Sequence, residues 1–143
     1  MKLVQPFSTP IISFLKVPFF SMRVQAGFPS PADDSMMAKL DLNQHLIKNP
    51  NATFFMRAGS DSMISAGIKE NDLLLIDRSI KPKNNSIVIA VVDREFMVRR
   101  LKIMGKNIYL MSENEKFTHA KLDEDFHIWG VVTSVIHRFQ TEK

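Results

Sequence analysis

The sequence predicts a compact, mostly β fold, barrel-like or sandwich, with one or two short helices and an extended N-terminal arm. Three observations predict it. From Thr53 onward, apolar and β-branched residues gather into six short runs. Turn-forming residues bound each run, and helical periodicity shows in only one stretch. A length of 143 residues, 45% of them apolar, suits one ordinary core and not two full domains.

The arm comes first. Residues 1–31 hold five of the seven prolines (Pro6, Pro10, Pro18, Pro29, Pro31) and five of the eleven phenylalanines (Phe7, Phe14, Phe19, Phe20, Phe28). Proline removes amide donors and breaks helices, so this segment is expected to be extended, its aromatics lying along the body or a partner. Residues 32–143 are expected to form the folded domain. A signal peptide fits badly, because Gln5, Pro6, Ser8, Thr9, Pro10 and Lys16 interrupt any hydrophobic stretch. No run approaches the roughly 18 apolar residues of a membrane span. A cytoplasmic protein with no membrane partner is the expectation.

Asp33-Asp34-Ser35, followed by Met36, Leu40 and Ile47 with Lys48 late, predicts one or two short helical turns ending at Asn49-Pro50. Strands are predicted over 53–57, 72–77, 86–92, 95–101, 107–111 and 128–136. Gly59, Gly67, Lys81-Pro82-Lys83-Asn84-Asn85 and Gly105-Lys106-Asn107 punctuate them. Asp93-Arg94 leaves a two-residue gap between strong strands and predicts a tight hairpin, although Gly is the preferred second residue. Alternation beyond it puts Met97, Leu101 and Ile103 on one face with Arg99, and Phe96, Val98, Arg100 and Lys102 on the other. Arg99 is therefore expected to turn towards the more aliphatic side, where a guanidinium needs a partner or a polar pocket.

Charge and cysteine content narrow the chemistry. The formal net charge is +4, which by itself invites a nucleic-acid reading. Lys2, Lys16 and Arg23, with no acid before Gly27, place +3 of it on residues 1–26 and leave the remainder at +1. No direct, specific nucleic-acid binding is expected of so neutral a body. With no cysteine, thiolate zinc sites, disulfides and a Cys nucleophile are all excluded.

Arg57-Ala58-Gly59-Ser60-Asp61-Ser62-Met63 is the segment most suggestive of chemistry, since small and hydroxylic residues follow directly on an apolar strand. Such a turn can present a serine oxygen. Equally, Ser60, Asp61 and Ser62 can simply cap a short helical turn. His45, His119, His127 and His137 are scattered singly, with neither metal-ligand spacing nor a Ser-His-Asp arrangement. Walker, dinucleotide-binding and HExxH motifs are absent. Asp123-Glu124-Asp125 reads as a solvated turn and Trp129 as a core residue. No cofactor or metal is expected.

Taken together, four stretches resemble the LexA/UmuD family of self-cleaving serine peptidases, which use a Ser-Lys dyad. They are Val24-Gln25-Ala26-Gly27-Phe28-Pro29-Ser30-Pro31-Ala32, Asp41-Leu42-Asn43-Gln44, Gly59-Ser60-Asp61-Ser62-Met63 with Gly67-Ile68, and Asp72-Leu73-Leu74 leading to Phe96-Met97-Val98-Arg99-Arg100-Leu101. Trp129-Gly130-Val131-Val132 fits the family's last strand. The resemblance implies a compact catalytic β domain that forms a homodimer, with a cleavable arm. It implies Ser62 as nucleophile, Ala26-Gly27 as the bond cut, and RecA filaments on single-stranded DNA as the stimulus. It also implies a UmuC-like DNA polymerase as client in SOS mutagenesis. A LexA-like repressor is not expected, because 26 residues cannot hold a helix-turn-helix with its own core.

One residue departs from the pattern. The family's general base is lysine, and Arg99 occupies the matching position. Lysine can lose its proton on burial; arginine, with a pKa above about 12, cannot. Self-cleavage is therefore expected to be impaired. The alternatives are a competent Ser62 peptidase that recruits another base, Lys102 or a histidine, or a fragment of a LexA-like repressor.

Overall fold

A computed structural model describes residues 15–20, 23–24, 36–115, 120–121 and 126–140. The chain divides into two compact units, Met1–Lys48 and Asn49–Lys143. In the first, strand β1 (Lys16–Phe20) pairs antiparallel with β2 (Met36–Asp41) from Lys16↔Asp41 to Phe20↔Met36. Pro18 is tolerated because a two-stranded ribbon has open edges. β1 thus lies inside the stretch expected to be an arm, and its partner lies outside it.

A five-residue helix α1 (Leu42–Leu46) follows β2, and the Asp41 carboxylate accepts from the amides of Asn43 and Gln44 at 3.0 and 3.3 Å. This corrects the expected start of the helical turns. Met36 and Leu40 fit a helix, but Met36, Ala38 and Leu40 fit a strand equally well, and Met36–Asp41 is a strand. The cap is Asp41; Asp33, Asp34 and Ser35 lie outside the described residues.

The second unit is a seven-stranded antiparallel sheet. Its strands are β3 (Thr53–Arg57), β4 (Leu73–Asp77), β5 (Ile87–Val92), β6 (Glu95–Met104), β7 (Asn107–Met111), β8 (Ala120–Lys121) and β9 (Phe126–Ile136), in the spatial order β3-β4-β9-β5-β6-β7-β8. The mostly β fold is as the sequence predicts, and all six expected strands are present within a few residues of their bounds. The short strands β1, β2 and β8 are additional.

Two buried clusters form the core. Ala58, Met63, Ile68, Leu74, Ile76, Ile89 and Val98 make one, and Val88, Ala90, Leu101, Leu110 and Val131 the other. β5 feeds both, Ile89 from one face and Val88 with Ala90 from the opposite face. That double burial explains why its sequence is an unbroken apolar run. β6 is buried from both faces as well, Val98 on one and Leu101 on the other.

Local devices shape the sheet. Asp93 and Arg94 both have positive φ, 49° and 68°, so the predicted hairpin forms with the backbone twist that two-residue turns favour. β9 carries two bulges, where its pairing skips Thr133 opposite β4 and Trp129 opposite β5. The bulged Trp129 carbonyl accepts from Arg78 Nε at 2.8 Å, and the Arg78 guanidinium lies 4.2 Å from the indole centre. Phe54 and Phe96 pack edge-on against the same ring. Trp129 is half-buried beside the first cluster, a core-flanking role close to the one expected.

Candidate functional site

β3 ends at Arg57, and the chain turns through Ala58 to Ser62 before a 3-10 turn, Ile64–Ala66, which closes on Gly67 at φ 90°. Glycine suits that left-handed closure. The segment is pinned from both sides. Asp61 Oδ1 accepts from the Glu70 amide at 2.8 Å, and Asn114 Nδ2 donates to the Asp61 carbonyl at 2.8 Å. The Glu113 amide donates to the Ser62 carbonyl at 2.8 Å, and the Ser65 amide to the Glu113 carbonyl at 2.7 Å. Capping is thus a small part of what these side chains do. No side chain caps the 3-10 turn, while Ser60 Oγ accepts from the Ser62 amide at 3.3 Å.

Ser62 is fully buried, and its Oγ accepts a hydrogen bond from Arg99 Nη1 at 2.9 Å. The same nitrogen donates to the Val98 carbonyl at 2.7 Å. Thirty-seven residues of sequence separate the pair; the sheet brings β6 across the turn after β3. Partial burial pulls the Arg99 pKa below its ordinary value by desolvation. The guanidinium nevertheless stays charged at any pH near neutral. Both residues line an open groove of about 330 Å³, with Met56, Phe96, Glu95 and Arg57 among its other walls.

Two of the other candidate bases, Lys102 and His137, are engaged elsewhere. Lys102 Nζ bonds Asn85 Oδ1, and His137 Nδ1 contacts the buried Asp72 carboxylate. Arg100 Nε pairs with Glu113 Oε1 at 2.9 Å. His119, Ala26 and Gly27 lie outside the described residues, as do Asp123, Glu124 and Asp125. Among the described residues there is no cluster of three metal-ligating side chains, and no helix is long and apolar enough to cross a membrane. The bracing by Glu113 and Asn114 was not foreseen, because no local pattern marks a contact made some fifty residues away.

Residues 18–133 match the family model described as Peptidase S24-like. The chain belongs to the S24 peptidase-like family. This bears out the LexA/UmuD resemblance and the fold expected from it. "Protein ImpA" of Salmonella typhimurium is 47% identical over 122 residues, 85% of this chain and 83% of that protein. "Protein SamA" of S. typhimurium strain LT2 is 43% identical over 136 residues, covering 95% and 94%. The "LexA repressor" of Pectobacterium carotovorum is 34% identical over 117 residues, 80% of this chain and 57% of the repressor.

Proposed function

We propose that this chain is a UmuD-like accessory subunit of an error-prone translesion DNA polymerase in the SOS response, with its own scission at Ala26-Gly27 impaired. Membership of the S24 peptidase-like family supports the class. Higher identity to SamA, 43% over 136 residues, than to the LexA repressor, 34% over 117, favours a subunit over a repressor. The subunit works as a cytoplasmic homodimer without cofactor or metal. A RecA filament on single-stranded DNA is its stimulus and a UmuC-like polymerase its client.

The hydrogen bond from Arg99 Nη1 to Ser62 Oγ carries the impairment. For Ser62 to attack the Ala26 carbonyl, its hydroxyl proton must pass to a lone pair. A guanidinium offers none, and here it occupies a lone pair of the attacking oxygen. Absence of a general base typically costs about 10²–10⁴-fold in rate. Arg99 can hold Ser62 in place and stabilise a developing oxyanion, but neither role removes the proton.

Intact mass after incubation with RecA, ATP and single-stranded DNA tests this directly. The unaltered chain should stay whole over times in which Arg99→Lys releases residues 1–26. Efficient cleavage of the unaltered chain, abolished by Ser62→Ala, would overturn the reading.

A further inference from the structure

Ser62 and Arg99 meet across a gap that the sheet does not bridge. Ser62 follows β3, Arg99 lies on β6, and β4, β9 and β5 stand between those strands in the sheet order. Among the described residues no ladder pairing joins β3 to β6. Met63 and Val98 share a buried cluster, which sets the approach coarsely, but apolar contacts are non-directional and do not fix a hydroxyl. A reacting group tolerates little error, since a misplacement of about 1 Å can cost about 10²-fold in rate.

The chain just beyond β7 supplies the direction. β7 ends with Met111 opposite Arg100, and the next residues run along the serine turn. The Glu113 main chain bonds that turn twice, its amide donating to the Ser62 carbonyl at 2.8 Å and its carbonyl accepting from the Ser65 amide at 2.7 Å. Its side chain reaches back to β6, where Oε1 accepts from Arg100 Nε at 2.9 Å. Arg100 is held at its other end as well, because Nη1 donates to the Asn85 carbonyl at 2.8 Å and the Asn85 amide donates to the Leu101 carbonyl at 2.8 Å. The contacts close a ring that runs from the Ser62 main chain through Glu113, Arg100 and Arg99 back to Ser62 Oγ.

We propose that Glu113 is a positioning residue for Ser62, its ion pair with Arg100 holding the serine hydroxyl in register with the side chain at position 99. The inference rests on the reading of Ser62 as the nucleophile and adds what orients it. The two side chains of the pair are 25% and 33% exposed, and an ion pair so open to water adds little to global stability. Its charge-assisted N–H···O bond is nevertheless short and directional. Losing it frees the serine turn without unfolding the sheet. Only the backbone of residue 99 carries the link from Arg100, so the same frame operates in Arg99→Lys.

The experiment takes full-length Arg99→Lys as its reference and follows release of residues 1–26 by intact mass across neutral to alkaline pH. Adding Glu113→Gln, which keeps the shape and loses the charge, should slow the plateau rate by about tenfold or more. It should also move the midpoint of the pH profile upward, because the introduced lysine regains water and its charged form is favoured. Adding Arg100→Gln to that variant should cost little more, since the pair is already broken. A loss smaller than about tenfold, an unmoved midpoint, or losses that simply multiply would overturn the proposal. Failure of Arg99→Lys to release residues 1–26 would sink the scission reading instead, and the positioning role is then decided on the unaltered chain. There the Arg99 guanidinium N–H resonances, assigned by their change in Ser62→Ala, should average in Glu113→Gln while the unfolding midpoint stays within a few degrees. Resonances that Glu113→Gln leaves unchanged would overturn the positioning role.

Discussion

Ser62 and Arg99 were legible in the sequence for different reasons. Ser62 sits in a run of small and hydroxylic residues, and strand alternation singled out Arg99 as a charge needing a partner. Their 2.9 Å bond was not legible, since nothing local says which turn β6 crosses. Asp77 makes the same point. It is buried at 4% exposure, accepts from Asn49 Nδ2 and from Ser79, and these bonds, Asn49's first, hold its carboxyl below the ordinary value of 3.8. A depressed carboxylate pKa stabilises the fold fully above the unfolded value, and that contribution is lost as pH falls through the lower, folded value. Asn49→Ala should therefore destabilise by about 1.5 kcal/mol at pH 7, the scale of a hydrogen bond to a charged group. Urea unfolding should find the difference shrinking as pH falls below 3.8 and on through the lower, folded value. An undiminished difference there would mean that Asn49 acts through packing and not through the charge.

At the scale of elements, composition found the strands of the second unit and misjudged one in the first. β3 and β7 have their expected bounds because turn formers punctuate them on both sides. The apolar spacing of Met36–Asp41 serves both periods, and pairing with β1 decides for the strand. The β9 bulges were invisible, since a bulge is a property of two strands' register and not of either sequence. Gly130, between them, shows how closely the strands approach. A Cβ there would lie 2.5 Å from Ile76 Cγ2 and 3.3 Å from Arg78 Cγ. Gly130→Ala should cost about 2–3 kcal/mol through overpacking, read as a lowered denaturation midpoint with an unchanged slope. The hairpin offers the opposite sign. Arg94 is held at φ 68°, a conformation costing a side-chain-bearing residue about 1–2 kcal/mol. Arg94→Gly should raise stability by about 1 kcal/mol.

For the whole molecule, the division of charge and the division of core coincide only in part. Three of the four net positive charges belong to residues 1–26, so direct affinity for single-stranded DNA should be weak and should vanish by physiological salt. The core is partitioned more sharply. Among the described residues, every member of both buried clusters, from Ala58 at one limit to Val131 at the other, belongs to Asn49–Lys143. Val17, Phe19 and Phe20 on β1 are exposed. Two paired strands alone are marginal in water, whereas a seven-stranded sheet packed on two clusters can stand by itself. The stability of the molecule should therefore reside in the second unit. A fragment of residues 49–143 should unfold cooperatively with a midpoint within a few degrees of the full chain, and retain near-UV ellipticity from Trp129. A non-cooperative transition, or a midpoint lower by ten degrees or more, would show that residues before Asn49 complete the core. The same fragment should keep the Ser62–Arg99 pair intact, because each residue that braces Ser62, from Ser60 to Asn114, lies within it.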